Sequence, residues 1–216
     1  MSFSTMMLQL GNGFGQTVLI FVLTLLFSLP LGLLVAFCRM SKIAPLRWIT
    51  KIFISILRGT PLMLQLIVVF FGPFYIFNIG LSSSYRFIAI IIGFSVNYSA
   101  YFAEIYRSGI ESIPVGQYEA ANVLGYSRIQ TFTHIIFPQM VKRVLPPVTN
   151  EVITLVKDTS LAFAIAYTEM FTIAKQIAAA ETSVLPLFVA GVFYFVFNLI
   201  VAQVMDRIEK RMNYYR

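Results

Sequence analysis

Charge is scarce in this sequence. Only 12% of its 216 residues are Asp, Glu, Lys or Arg, against about 25% in ordinary soluble domains, while 58% are hydrophobic and the mean hydropathy is +0.81. A water-soluble globule is excluded. Acidic residues are the scarcer sign, 9 against 16 basic, for a net charge of +7. In a soluble protein that excess would suggest nucleic acid. Here the basic residues stand in short blocks beside apolar runs, which membrane topology explains better, so no nucleic-acid partner is expected. The single cysteine, Cys38, excludes an internal disulfide and a multi-cysteine metal site; at the end of an apolar run it reads as a packed thiol. Residues 1–16 carry no charged side chain, so the basic start of a secretory signal is missing and the first apolar run is expected to be retained. There is no soluble repeat, no low-complexity tract, and no Gly-x-x-x-x-Gly-Lys-Ser/Thr phosphate loop. Nor is there a His/Cys metal constellation, a nucleophile elbow or a catalytic carboxylate pair. The chain is read as a non-enzyme that binds no cofactor of its own.

What the sequence has is apolar runs. Spanning a membrane takes about 20 residues of helix, and Val18–Phe37 is such a run, interrupted only by Pro30 and Gly32, which membrane helices tolerate. Arg39, Lys42, Arg47, Lys51 and Arg58 follow with no acidic residue among them, marking a cytoplasmic loop and an external N-terminus. Pro61–Ile79 gives a second span, Asn78–Tyr85 an uncharged external link, and Phe87–Ala103 a third span. Val148–Tyr167 is a fourth in spite of Glu151, Lys157 and Asp158, and Val184–Met205 a fifth. The tail then holds Arg207, Lys210, Arg211 and Arg216. Thirteen of the sixteen basic residues fall on the cytoplasmic side of this scheme, against Arg86 and Lys175 outside. Dropping the fourth span would move the basic tail outside, against that bias. The expectation is an all-α, polytopic membrane protein, one permease-like domain over 1–216, with five transmembrane helices, its N-terminus outside and its C-terminus cytoplasmic.

The loop over about 112–138 is longer than a connection needs. Pro114 before Val115 and Gly125 after Leu124 bracket a helix, and Ser127 is placed to cap the next. Glu119-Ala120-Ala121, beside Tyr118, offers a small-residue surface with a carboxylate for a partner's arginine. With Gly125, Ile135 and Pro138 these residues match, in spacing, the coupling loop of ATP-binding-cassette (ABC) importer permeases, with Phe137 in place of the usual Leu. The sequence resembles that family over nearly its whole length. Three further segments, Arg58-Gly59-Thr60-Pro61, Asn97 to Glu104, and Lys157-Asp158-Thr159-Ser160-Leu161, resemble its polar-amino-acid branch.

The resemblance implies a type I ABC importer permease in a bacterial cytoplasmic membrane. Its coupling loop would dock on a separate ATPase subunit that binds ATP and Mg. An extracytoplasmic binding protein would deliver the amino acid, and a second permease chain, identical or paralogous, would complete the pathway.

Polar groups inside spans are the candidates for contact with substrate. An ionised group near the bilayer centre costs roughly 2.5–3.5 kcal/mol on insertion scales, so Lys157 and Asp158 facing lipid would cost about 5–7 kcal/mol. They face protein or water, as a substrate cavity or as a structural ion pair, with Thr159 and Ser160 beside them. Asn97, Ser99 and Tyr101 suit the ends of a zwitterion, or equally hydrogen bonds between helices. Glu104 suits an ammonium, though Arg107 at i+3 competes. Arg58 suits headgroups or a loop carboxylate as well as a gate. By resemblance, Glu169 occupies a position where similar permeases keep an acidic residue close to the bound amino acid. His134 reads as a capping or packing residue. A secondary transporter using Lys157 and Asp158 as ion ligands is the rival reading, against which the coupling-loop pattern argues.

Overall fold

The computed structural model describes residues 1–80 and 82–212. Leu81 of the external link and Arg216 of the basic tail lie outside the described residues. Helices and the turns between them make up the described chain, with no strand.

Helix α1 (Phe3–Arg39) is about 55 Å long at 1.5 Å per residue, well beyond the roughly 30 Å hydrocarbon core. Its first turns, with Met6 and Leu10, pack instead on Met170, Ala174 and Ile177 of α8 (Met170–Ala180) and on Ala190 of α9 (Leu185–Met212). α4 (Ser83–Glu111) is the central helix, packed against α1, α3 (Leu62–Phe77) and α7 (Phe137–Asp158). Its Phe94, Tyr98 and Phe102 are among the largest fully buried side chains.

The second expected span, Pro61–Ile79, is α3 (Leu62–Phe77), and the basic stretch before it, expected as a loop, is helical: α2 (Ala44–Gly59) meets α3 at a 110° bend. Pro61 has no N–H to continue the ladder and disfavours the helical region for the residue before it; Thr60 is extended, at φ −122° and ψ 147°. The carbonyls freed at the break are taken up by amides. Gln65 Nε2 donates to the Leu57 carbonyl at 2.9 Å and the Thr60 carbonyl at 3.1 Å. Asn97 Nδ2 donates to the same Leu57 carbonyl at 3.2 Å and to Gln65 Oε1 at 3.0 Å.

The fourth expected span is shifted. α7 (Phe137–Asp158) begins at Phe137 rather than Val148, and a 3₁₀ segment (Thr159–Ile165) follows it. By length and composition three helices, α1, α4 and α9, are apolar enough to cross a membrane, and four if the bent α2–α3 pair counts as one span. α7 does not meet that test, because Lys142, Arg143, Glu151, Lys157 and Asp158 lie along it.

α4 and α7 run antiparallel, since Tyr98 meets Asp158 near one end and Gly109 meets Val144 near the other. A Cβ at Gly109 would overlap Val144 Cγ1 and come 3.3 Å from Met140 Cγ. Glycine is what lets the two helices approach there.

Candidate coupling surface and polar pathway wall

The loop between α4 and α7 is built by local chemistry. α5 (Val115–Val123) ends in a left-handed Gly125, φ +76°, a conformation that L side chains other than glycine rarely adopt. Gly125 N–H donates to the Asn122 carbonyl and Tyr126 N–H to the Ala121 carbonyl, both at 3.0 Å. This is the paired closure of a Schellman turn. Ser127 and Gln130 then form a reciprocal capping box over the short α6 (Arg128–Gln130). From there the chain runs through a π segment (Thr131–Ile136) directly into α7. Pro138 cannot donate to the regular α ladder, and the wider π turn accommodates it.

Glu119 and Ala120 are exposed and Ala121 is buried. Tyr118 is half-buried, and burial pushes its phenol above the ordinary value. Val115, Val123, Leu124 and Ile129 are each at least 70% exposed, more apolar surface than a solvated loop has reason to carry. Ile135 and Pro138 line a groove of about 430 Å³ beside Gln117 and Met212. His134 Nδ1 lies 2.9 Å from Thr133 Oγ1 and 3.2 Å from the Gln130 carbonyl, bonding only to its own turn. Among the described residues no His/Cys/Asp/Glu group is arranged to hold a metal.

The second feature is a polar wall shared by α2, α4 and α7. Tyr98 donates its hydroxyl to Asp158 Oδ2 at 2.7 Å. Tyr101 lies next to Tyr98, ring centroids 6.2 Å apart, with the Arg58 guanidinium 5.2 Å from its own centroid. Toward the end of the bundle that carries the coupling loop, a cavity of about 500 Å³ is lined by Arg58, Tyr101, Glu104, Arg107, Arg143 and Glu151. Arg107 grips Glu104 with Nε and Nη2 (Nη2 to Oε2, 2.7 Å) and Glu111 with Nη1 at 2.6 Å. Arg39 Nε stands 3.8 Å from Glu104 Oε1.

Of the residues singled out in the sequence, Tyr101, Glu104 and Asp158 are brought together on this wall. Lys157 is exposed beside it and makes no salt bridge with Asp158. The others have partners within the fold. Asn97 caps the α2–α3 break, Ser99 Oγ donates to the Val96 carbonyl, Thr159 Oγ1 to that of Val156 and Ser160 Oγ to that of Lys157, each of these three at 2.7 Å. Glu169 is fully buried as the N-cap of α8. It accepts from Thr172 N at 2.7 Å, Phe171 N at 2.8 Å, Thr172 Oγ1 at 2.9 Å, Tyr194 Oη at 3.0 Å and Thr17 Oγ1 at 3.4 Å. Sequence reasoning missed Tyr98 and Glu151 as members of the wall. The signal for Glu151 was present, because a residue seven before Asp158 lies on the same helix face.

Comparison with known proteins follows the same outline. The family model "binding-protein-dependent transport system inner membrane component" matches residues 28–214. The chain is 36% identical over 208 residues to the L-cystine transport system permease protein TcyB of Bacillus subtilis (strain 168), covering 95% of this chain and 87% of that one. It is 34% identical over 202 residues to the arginine transport system permease protein ArtQ of the same organism, covering 93% and 91%. Among solved structures, an amino acid ABC transporter with histidines superposes with a TM-score of 0.86 at 28% identity over 98% of this chain and 99% of that one. The inward-facing MetNI methionine ABC transporter, at 19% identity and a TM-score of 0.76 over 99% and 100%, shares the fold. The chain belongs to the inner-membrane permease components of binding-protein-dependent ABC transport systems.

Proposed function

We propose that the chain imports polar amino acids as one of two permease chains, identical or paralogous, flanking a central pathway. One observation carries this reading. The exposed face of α7 bears Arg143, Asn150 and Lys157, with the half-buried Thr154 and Glu151 beside them. At roughly 2.5–3.5 kcal/mol for each ionised group, Arg143, Glu151 and Lys157 turned to lipid would cost about 7–10 kcal/mol. A second permease and a water-filled pathway over that face remove the cost. The relatives' substrates, L-cystine and arginine, support an amino acid as cargo.

In this reading 1–216 is a single permease domain crossing the cytoplasmic membrane five times: α1, the bent α2–α3 pair, α4, α7 with its 3₁₀ extension, and α9. The basic residues favour an external N-terminus and a cytoplasmic C-terminus. Tyr118, Glu119, Ala120 and Ala121, with Gly125, Ile135 and Pro138 behind them, dock on the ATPase subunit, which supplies ATP and Mg chemistry; this chain holds no cofactor. A binding protein delivers substrate from outside. Tyr101, Glu104, Lys157 and Asp158 contact it, while Asn97, Ser99, Thr159, Ser160 and Glu169 position the helices that carry them. Rigid-body rocking about this wall gives alternating access.

The test is uptake of radiolabelled amino acids into liposomes holding the chain with its ATPase and binding protein, with ATP enclosed or withheld. Uptake that needs ATP and disappears in Glu119→Lys, with the complex's permease still folded, is expected. Uptake driven by an ion gradient without ATP would sink the reading in favour of a secondary transporter.

A further inference from the structure

Most charged groups around the 500 Å³ cavity already have partners. Arg107 holds Glu104 and Glu111, Arg39 stands by Glu104, and Arg143 donates to the Ser112 carbonyl. Two do not. Arg58, at the end of α2, touches the face of Tyr101 and forms no salt bridge with any described residue; Glu151, in the middle of α7, forms neither a salt bridge nor a hydrogen bond among them. They line one cavity from different helices without closing to a salt bridge.

A cation and a carboxylate that line one cavity from different helices without pairing form a dipolar receptor. Guanidinium presents a planar fork that suits a carboxylate, and stacking on Tyr101 holds that fork in orientation. The carboxylate opposite suits an ammonium. A ligand that satisfies both at once carries the two charges on neighbouring atoms, as the head group of an α-amino acid does. Asp158 lies seven residues beyond Glu151 on the same face, about 10 Å along the helix axis, with Tyr98 bonded to it. Two carboxylates thus succeed one another along α7 toward the end that carries the coupling loop.

We propose that Arg58 and Glu151 form a release-side station, in which Arg58 takes the α-carboxylate and Glu151 the α-ammonium of the transported amino acid. This rests on the amino-acid importer reading. Side-chain specificity is set elsewhere, because the station grips only the head group.

Equilibrium binding to the permease–ATPase complex in lipid nanodiscs, without binding protein, tests it. The probes are L-cystine, L-arginine and L-glutamine, each paired with its decarboxylated counterpart: cystamine, agmatine and 4-aminobutanamide. Wild type is expected to bind the transported amino acid at least about tenfold tighter than its amine. Arg58→Gln lowers the amino acid's affinity to that of the amine and leaves the amine unchanged, Arg58→Lys recovers part of the loss, and Glu151→Gln weakens amino acid and amine alike. Four outcomes would overturn the station: no binding to wild type that transports, wild-type affinity in both Gln variants, an equal loss of amino acid and amine in Arg58→Gln, or uptake restored by the Arg58→Glu/Glu151→Arg exchange, which marks a gate pair instead. Failure of the importer reading is separate, since it appears as the absence of ATP-dependent uptake by wild type.

Discussion

The outward faces of α9 and α7 belong to the same small bundle, yet they are written for different surroundings. Along α9 the exposed side chains are Phe188, Val192, Phe195 and Leu199, a stripe that hydrocarbon solvates well. Along α7 they include Arg143, Asn150 and Lys157, with the half-buried Thr154 between them, a stripe that hydrocarbon would reject. Exposure in an isolated chain therefore has two meanings in this molecule, and only side-chain chemistry separates them. The first is a boundary with lipid. In the proposed function the second is half of an interface and a water path, completed by the opposite chain.

The sharpest way to break this comparison is to put the same charge on both faces. Phe195→Lys is expected to raise the free energy of membrane insertion of its helix by about 2.5–3.5 kcal/mol, read as the loss of correctly inserted chain in a glycosylation-mapping assay. Thr154→Lys is expected to leave insertion unchanged. Equal losses would mean that α7 faces lipid after all. A weaker contrast lies in packing. Gly109→Leu forces a side chain into Val144 and Met140 and is expected to cost about 1–3 kcal/mol, measured by thermal unfolding in detergent. Gly191→Leu on α9, where an added Cβ meets nothing within 4 Å, should leave the midpoint within error. The smallest effect is local. Ser127→Ala removes half of the capping box and is expected to cost about 1 kcal/mol, seen as faster proteolysis of the coupling loop with both outward faces intact.

Legibility from sequence followed the range of the forces involved. The coupling loop was read nearly residue for residue, Val115–Leu124 against α5 at Val115–Val123, because Pro114, Gly125 and Ser127 act on their immediate neighbours. The last span was equally plain, Val184–Met205 against α9 at Leu185–Met212, because a long uncharged run has few alternatives. Hydropathy misplaced α7, whose polar face lowers the average wherever the window sits. It began the second span at Pro61, where α3 starts, but read the basic stretch before it as a loop, where the structure has the helix α2. The partners of Asn97 and Glu169 were out of reach for another reason. Asn97 answers to a carbonyl freed forty residues earlier, and Glu169 to hydroxyls of Thr17 and Tyr194 on two other helices. Polarity inside a span signals that a group needs a partner without saying whether the partner is cargo or backbone.

The run from Ser127 through the π segment into α7 has no loop in it. The small knob proposed to meet the motor and the wall bearing Glu151 and Asp158 are therefore joined as a crank is joined to its shaft. Gln139 Nε2 steadies the joint by donating to Gln117 of α5 at 3.2 Å. Torque applied at Glu119 reaches the wall with little slack to absorb it, save the one loosened turn at Thr131–Ile136, whose stiffness then sets how much of each stroke arrives.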